Sequence, residues 1–313
     1  MAYHTTPYLL LFLPAALLFY QITPAKWRSY TLLIFSYLFF WSFSEKLIIY
    51  LIGTTFLTHH ICIWMDTMDK RDKRKKRVFQ LGILLLLGTI LCLKYRNFFF
   101  GNVSKLAMVL HIDWSYQDQL IFLPIGISFY TLSAIGYMAD VYWGKVKAEY
   151  SLVKTALFLG FFPVIVEGPI CRWEDVEDTL FKNESVKAEN VFKGCYRIIW
   201  GLFKKMIIAD RLAVLVDKVY VGYESYSGAV IVVAAISYTI QLYMEFSGCM
   251  DMVIGSAGLF GIRLPENFSQ PFFAKTCTDF WKRWHITLGV WFKNYIFYPV
   301  SISKTARKWN KFT

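Results

Sequence analysis

The residue with the widest chemical reach in this chain is His285, in the stretch Asp279–Leu288, DFWKRWHITL. A helix through this stretch would place Trp281, His285 and Leu288 on one face, at i, i+4 and i+7, with Lys282 and Arg283 pointing elsewhere. An imidazole on an aromatic wall can act as a general base near neutral pH. A lone histidine on an apolar face is more often a hydrogen-bonded structural residue. Glu245 and Asp251 follow an apolar run, and acidic groups at membrane depth usually face a cavity or a partner. Six residues of helix, about 600°, leave the two roughly 120° apart. A paired-carboxylate site is therefore not indicated. Each is expected to pair with a basic residue or to cap a break, with Lys282 and Arg283 available by sequence. His59 and His60 point about 100° apart and do not form a metal pair, His4 is near the terminus, and His111 lies in a polar stretch. The six cysteines show no CxxC pair, so neither a disulfide framework nor a zinc site is expected. No nucleophile elbow, phosphate loop, HExxH or dinucleotide fingerprint is present.

The elements that must position these residues belong to an integral membrane protein. The chain is 56% hydrophobic and 18% charged, with mean hydropathy +0.41, against about 25% charged residues in an ordinary soluble domain. Its net charge of +12 comes from basic residues set between apolar runs. That arrangement suits snorkelling anchors and anionic headgroups, and excludes nucleic acid as the expected partner. The apolar runs are Tyr8–Ile22, Tyr30–Phe43, Leu47–Met65 and Val78–Leu93. Tyr8–Ile22 lacks the basic leader and cleavage site of a signal peptide and reads as a retained membrane helix. Between the third and fourth runs lies Asp69–Arg77, DKRDKRKKR, which the positive-inside rule places in the cytoplasm with lipid headgroups as its partner. Three crossings back, the N-terminus falls outside. The stretch Asn97–Gln119 is mixed and polar.

Two later runs are interrupted. Leu120–Met138 contains Pro124, Gly126 and Gly136, and Leu152–Val166 contains Pro163 before Glu167-Gly168-Pro169. Such segments read as broken or re-entrant helices, which often line functional cavities, although a proline kink is an equal reading for either alone. Val191–Leu215 reads as an amphipathic helix with Lys204, Lys205 and Arg211 on its wet side. Val230–Tyr243 is a further membrane run. The expected fold is all-α: a single domain over 1–313, with eight or more transmembrane and re-entrant helices around a central cavity.

Four blocks, in order, resemble the membrane-bound O-acyltransferases, in particular the bacterial branch that acylates cell-surface polysaccharides. They are Leu123–Tyr142; Phe161–Arg172, where the family usually has Ala at the position of Glu167; Gly201–Asp217; and Tyr243–Tyr298. The last carries YMEFSGCMDMVIG, then PENF, then DFWKRWHITLGVWFKNYIFY. This pattern resembles the alginate O-acetylating members more than the D-alanyl transferases of teichoic acid. Asn294 stands where an Asp is common.

The resemblance implies transfer of an acyl group, acetyl first of all, from a cytoplasmic thioester such as acetyl-CoA to a hydroxyl. No bound cofactor is implied. The acceptor would be a cell-surface glycan or a carrier on its way to one, with an extracellular or periplasmic acyltransferase as partner. By position, His285 is the candidate catalytic histidine, orienting the acceptor or lining the tunnel. Trp281, Arg283, Trp284, Glu245, Asp251 and Asn267 would line the tunnel or hold its broken helices. The family's general base is a later histidine. None occurs in the 28 residues after His285, and SISKTARKWNKFT resembles the loop before a further helix. The chain is accordingly expected to be truncated and inactive alone. D-alanyl transfer, a transporter subunit and a scaffold recruiting a soluble transferase are the alternatives; a transporter built on repeated halves would show an internal repeat, and none is visible.

Overall fold

The computed structural model describes residues 2–69, 72–114, 116–117 and 125–302. The start of the Leu120–Met138 run, two residues of the basic cluster and most of the basic tail 301–313 lie outside them. Among the described residues every regular element is helical. The first four apolar runs become α1 (Pro7–Ile22), α2 (Arg28–Ser44), α3 (Ile48–Asp66) and α4 (Lys73–Lys94). Three stretches, Ala25–Asp66, Lys73–Lys94 and Gly228–Leu259, are long and apolar enough to cross a bilayer. The first is interrupted at Glu45, whose φ of +42° ends α2. The Asp72 carboxylate caps α4 by accepting from the Arg74 N–H at 2.7 Å, so the basic cluster begins a helix. The mixed stretch after α4 contains a further helix, α5 (Arg96–Val109).

The best-buried helix is α6 (Ile127–Trp143), packed against α3 and α4. It starts at Gly126, whose φ is +76° and where a Cβ would overlap the Ile165 carbonyl oxygen. Only glycine satisfies both conditions. Beyond Ser151, α7 (Leu152–Gly160) ends one residue before Phe161, and turns carry the chain through 162–167. This is the interruption expected from Pro163. Its freed groups find partners: the Phe162 N–H donates to Ser36 Oγ at 3.0 Å, and the Phe162 carbonyl accepts from Tyr3 Oη at 3.0 Å.

After α8 (Trp173–Leu180), the chain runs without a break through α9 (Ala188–Leu202), a π-helical turn at Phe203–Ala209, and α10 (Asp210–Val221). This rod lies antiparallel to α11 (Gly228–Leu259): Gly194 meets Gly255, Gly201 meets Gly248, Lys205 meets Glu245 and Tyr220 meets Tyr238. The backbones touch. A Cβ on Gly201 would stand 2.5 Å from the Gly248 oxygen, and one on Gly255 would stand 2.8 Å from the Gly194 oxygen. Small residues at such crossings let transmembrane helices approach closely. Three short helices finish the fold: α12 (Cys277–Arg283), α13 (Ile286–Phe292) and α14 (Tyr298–Ser301).

Candidate functional site

One helix through the histidine block was the sequence expectation, and here the structure differs. The chain breaks at Trp284, which is extended, and at His285, which is left-handed with φ +46°. Trp281, His285 and Leu288 therefore do not share a face. Trp281 is exposed, while Trp284 packs edge-on to Phe268 at 5.1 Å and stacks on Phe280 at 5.6 Å. The break has a cause. The PENF segment runs alongside as a short antiparallel bridge, Phe268 against Trp284, with the Ser269 N–H donating to the Arg283 carbonyl at 3.0 Å.

Asn267 is the hub of that arrangement and has no solvent exposure. Its carbonyl accepts from the Ile286 N–H at 3.0 Å. Its Oδ1 accepts from the Thr287 N–H at 3.1 Å and from Thr287 Oγ1 at 2.7 Å, and its Nδ2 faces Met250 Sδ at 3.1 Å. Thr287 Oγ1 in turn accepts from the Ile170 N–H at 3.0 Å. One buried amide thus ties α11, α13 and the segment after the α7 break to the histidine turn. Thr287 is a member of this lattice that sequence reasoning missed, although its place two residues after His285 was the available signal.

Within this setting the imidazole lies edge-on to Phe246 at 5.0 Å. Its Nδ1 is buried with no hydrogen-bond partner among the described residues. A buried polar nitrogen without a partner costs free energy comparable to a lost hydrogen bond, and a catalytic or binding role is one of the explanations such a group can have.

The acidic residues find partners other than those expected. Asp251, almost fully buried, takes Lys204 Nζ at 2.6 Å and Arg197 Nε at 3.1 Å. Arg197 also forks onto Glu266 at 2.7 and 2.6 Å. Glu245 takes Lys205 at 2.7 Å, and Lys205 also holds Asp210 at 2.8 Å. Lys204 and Lys205 are therefore turned into the α9–α11 contact, not onto a wet face. Arg283 is occupied by Asp279 at 2.9 Å. These short ion pairs tie α11 to the rod of α9 and α10, a structural task that occupies both carboxylates.

Four of these charges, Arg197, Lys204, Asp251 and Glu266, line a cavity of about 640 Å³ between α9, α11 and residues 266–270. Phe268 is in its wall, and Phe246 touches both Phe268 and the imidazole. Glu167, the departure from the usual Ala, accepts from the Cys249 thiol at 3.3 Å one turn beyond Phe246. The structure thus brings His285, Trp284 and Asn267 together, sets Asp251 in the neighbouring cavity, leaves Trp281 exposed on α12, and holds the half-buried Arg283 in its ion pair with Asp279. Among the described residues no group of three or more His, Cys, Asp or Glu side chains could hold a metal ion.

The model of the membrane-bound O-acyltransferase family matches residues 145–312. The probable alginate O-acetylase of Pseudomonas aeruginosa is 33% identical over 297 residues, covering 95% of this chain and 56% of its own length. The peptidoglycan O-acetyltransferase of Helicobacter pylori is 29% identical, covering 95% of this chain and 61% of its own length. The teichoic acid D-alanyltransferase of Bacillus subtilis is 30% identical over 193 residues, covering 60% and 48%. The chain spans a little over half the length of the curated alginate relatives it matches.

Proposed function

This chain belongs to the membrane-bound O-acyltransferase family, a multi-pass bacterial membrane protein, and we propose that its whole protein transfers an acetyl group from a cytoplasmic thioester such as acetyl-CoA to a hydroxyl of a cell-surface polysaccharide or of a carrier that delivers to it. The observation that carries the reading is the free Nδ1 of His285, held at a helix break by the Asn267 lattice. Coverage favours acetyl over D-alanyl transfer: the alginate relatives match over 95% of the chain, the D-alanyl transferase over 60%.

The acceptor oxygen attacks the thioester carbonyl carbon and loses its proton to a base. The tetrahedral intermediate collapses, the C–S bond breaks, and the sulfur leaves as thiolate to be protonated. An alcohol attacks slowly unless a positioned base takes its proton, a contribution of roughly 10²–10⁴ in rate. The resemblance gives that task to a histidine further along the family's sequence. His285 has one polar atom free to hold the acceptor hydroxyl or the thioester oxygen in line, and Phe246 keeps water from one side of it. Asn267 and Thr287 position it, and Asp251, Glu245, Trp281, Arg283 and Trp284 belong to the surrounding walls and helix contacts. The basic cluster faces the cytoplasm, where the donor arrives, and an extracellular or periplasmic acyltransferase takes the product onward.

The test is reconstitution of the whole protein in vesicles with radiolabelled acetyl-CoA and polysaccharide. Wild type should transfer label. His285→Ala should lose at least tenfold in kcat while unfolding at the same temperature. Unchanged turnover in His285→Ala would sink the reading.

A further inference from the structure

A second cavity, a groove of about 600 Å³, lies away from the histidine block between α4, α6 and residues 291–299. Helix α4 supplies Lys76, Gln80, Ile83 and Leu87, spaced i, i+4, i+7 and i+11, so that one face of the helix forms the wall from end to end. The wall is polar at one end and apolar at the other. Opposite the polar end stand the rings of Trp143 and Tyr295, stacked at 5.8 Å; Ile135 and Ile296 also line the groove. Lys145 sits over both rings, 4.9 Å from Trp143 and 5.8 Å from Tyr295.

We propose that this groove binds one anionic phospholipid of the cytoplasmic leaflet, its phosphate at Lys76 and Gln80 and an acyl chain along Ile83, Leu87 and Ile135. Three observations converge. Length is the first: eleven residues of helix rise roughly 16 Å, about half of a ~30 Å hydrocarbon core, so the groove reaches through one leaflet and stops. Charge is the second. Two carboxylates lie near this rim, and both are engaged: Asp140 by Tyr295 Oη at 2.6 Å and Lys145 at 3.3 Å, and Asp72, one turn before Lys76, as the cap that accepts from the Arg74 N–H. Lys76 makes no ion pair among the described residues, and exposed Lys73, Arg74 and Arg77 surround it. Basic pockets between transmembrane helices on the cytoplasmic side are suited to anionic headgroups. Ring chemistry is the third: Tyr142, Trp143 and Tyr295 gather at the polar end, where amphipathic rings favour the interface.

Native mass spectrometry of the detergent-purified chain, titrated with phosphatidylglycerol or phosphatidylcholine, tests this. One phosphatidylglycerol should be retained at least tenfold more tightly than phosphatidylcholine. Lys76→Glu should erase that preference. Lys73→Glu, the same charge change on an exposed residue of the same turn that does not line the groove, should keep most of it. A photoactivatable phosphatidylglycerol should crosslink within residues 83–87. Equal retention of the two lipids, equal damage from both variants (diffuse attraction to the basic cluster only), or crosslinks confined to other helices would each overturn the site.

Discussion

The contact between α1, α2 and the 161–168 turns and the contact between α9 and α11 hold membrane helices together in opposite ways. The first is made of rings. Phe39 touches Tyr3, Tyr8, Phe12 and Phe162, with centroids 5.3–6.0 Å apart. The second is made of absences and charges: Gly194 and Gly201 lie on Gly255 and Gly248, flanked by Asp251 with Lys204 and by Glu245 with Lys205. Rings fill a wide gap and tolerate a change of shape, because a neighbour can rotate into part of the space. A glycine crossing has no gap. Any added atom meets backbone, which cannot rotate away. The two regions are joined where Tyr8 Oη donates to Ser256 Oγ at 2.9 Å, so the rigid crossing that positions Phe246 and Met250 is buttressed by the softer cluster.

The largest effect expected from this contrast is at Asp251. Asp251→Ala leaves the largely buried Lys204 without its carboxylate and beside the cation of Arg197, and breaking one side of a buried pair costs about 3–5 kcal/mol. Unfolding of the protein in mixed micelles should show it. Adding Lys204→Met should recover most of the loss, because Arg197 still has Glu266. No recovery would mean that Asp251 acts through something other than its ion pair.

Next is Gly201→Ala, where one methyl must push the Gly248 carbonyl aside, at about 1–3 kcal/mol. Phe39→Leu should cost less, about 1 kcal/mol, because an apolar side chain of similar volume remains and the neighbouring rings can settle into the space left. The comparison fails if the order of these two, measured in the same unfolding assay, is reversed.

The smallest effect lies outside the membrane. Hydrogen bonds from Lys182 and Lys187 hold the Glu184 carboxyl down to about 2. A carboxyl depressed in the folded state contributes stability that is present above its unfolded value, near 4.5, and lost as pH falls through about 2. The group is exposed and screened, so the contribution is slight. Titration of the Glu184 carboxyl carbon by nuclear magnetic resonance should give a midpoint near 2 that rises toward the ordinary carboxylate range in high salt. A midpoint that starts near the ordinary value would remove the pairing.

The apolar runs marked the first four helices to within a few residues, because a sustained apolar run must satisfy its backbone internally when buried in lipid or protein, and polar or charged residues mark its boundaries. Pro163 and the following Gly168-Pro169 marked the α7 break for a similarly local reason: proline cannot donate to a helix. The histidine block was legible as a motif and misread as a shape. Nothing local stops a helix through Trp284 and His285. The break comes from a strand-like partner, Phe268–Ser269, and from the buried amide of Asn267, both supplied from some sixteen residues away.

The partners of the charged residues show the same division. That Glu245 and Asp251 need cations follows from their setting in an apolar helix, and the sequence by itself determined that much, along with the membrane as solvent and the family resemblance. Which cations was decided only by the antiparallel crossing of α9 and α11. Lys282 and Arg283 are nearer in sequence, but Gly201 on Gly248 brings the backbones into contact and carries Lys204 and Lys205 onto the carboxylates. Composition is a property of each segment and survives any arrangement of them. Ion pairs act over a few ångströms, and at that range the register between two helices chooses the partner.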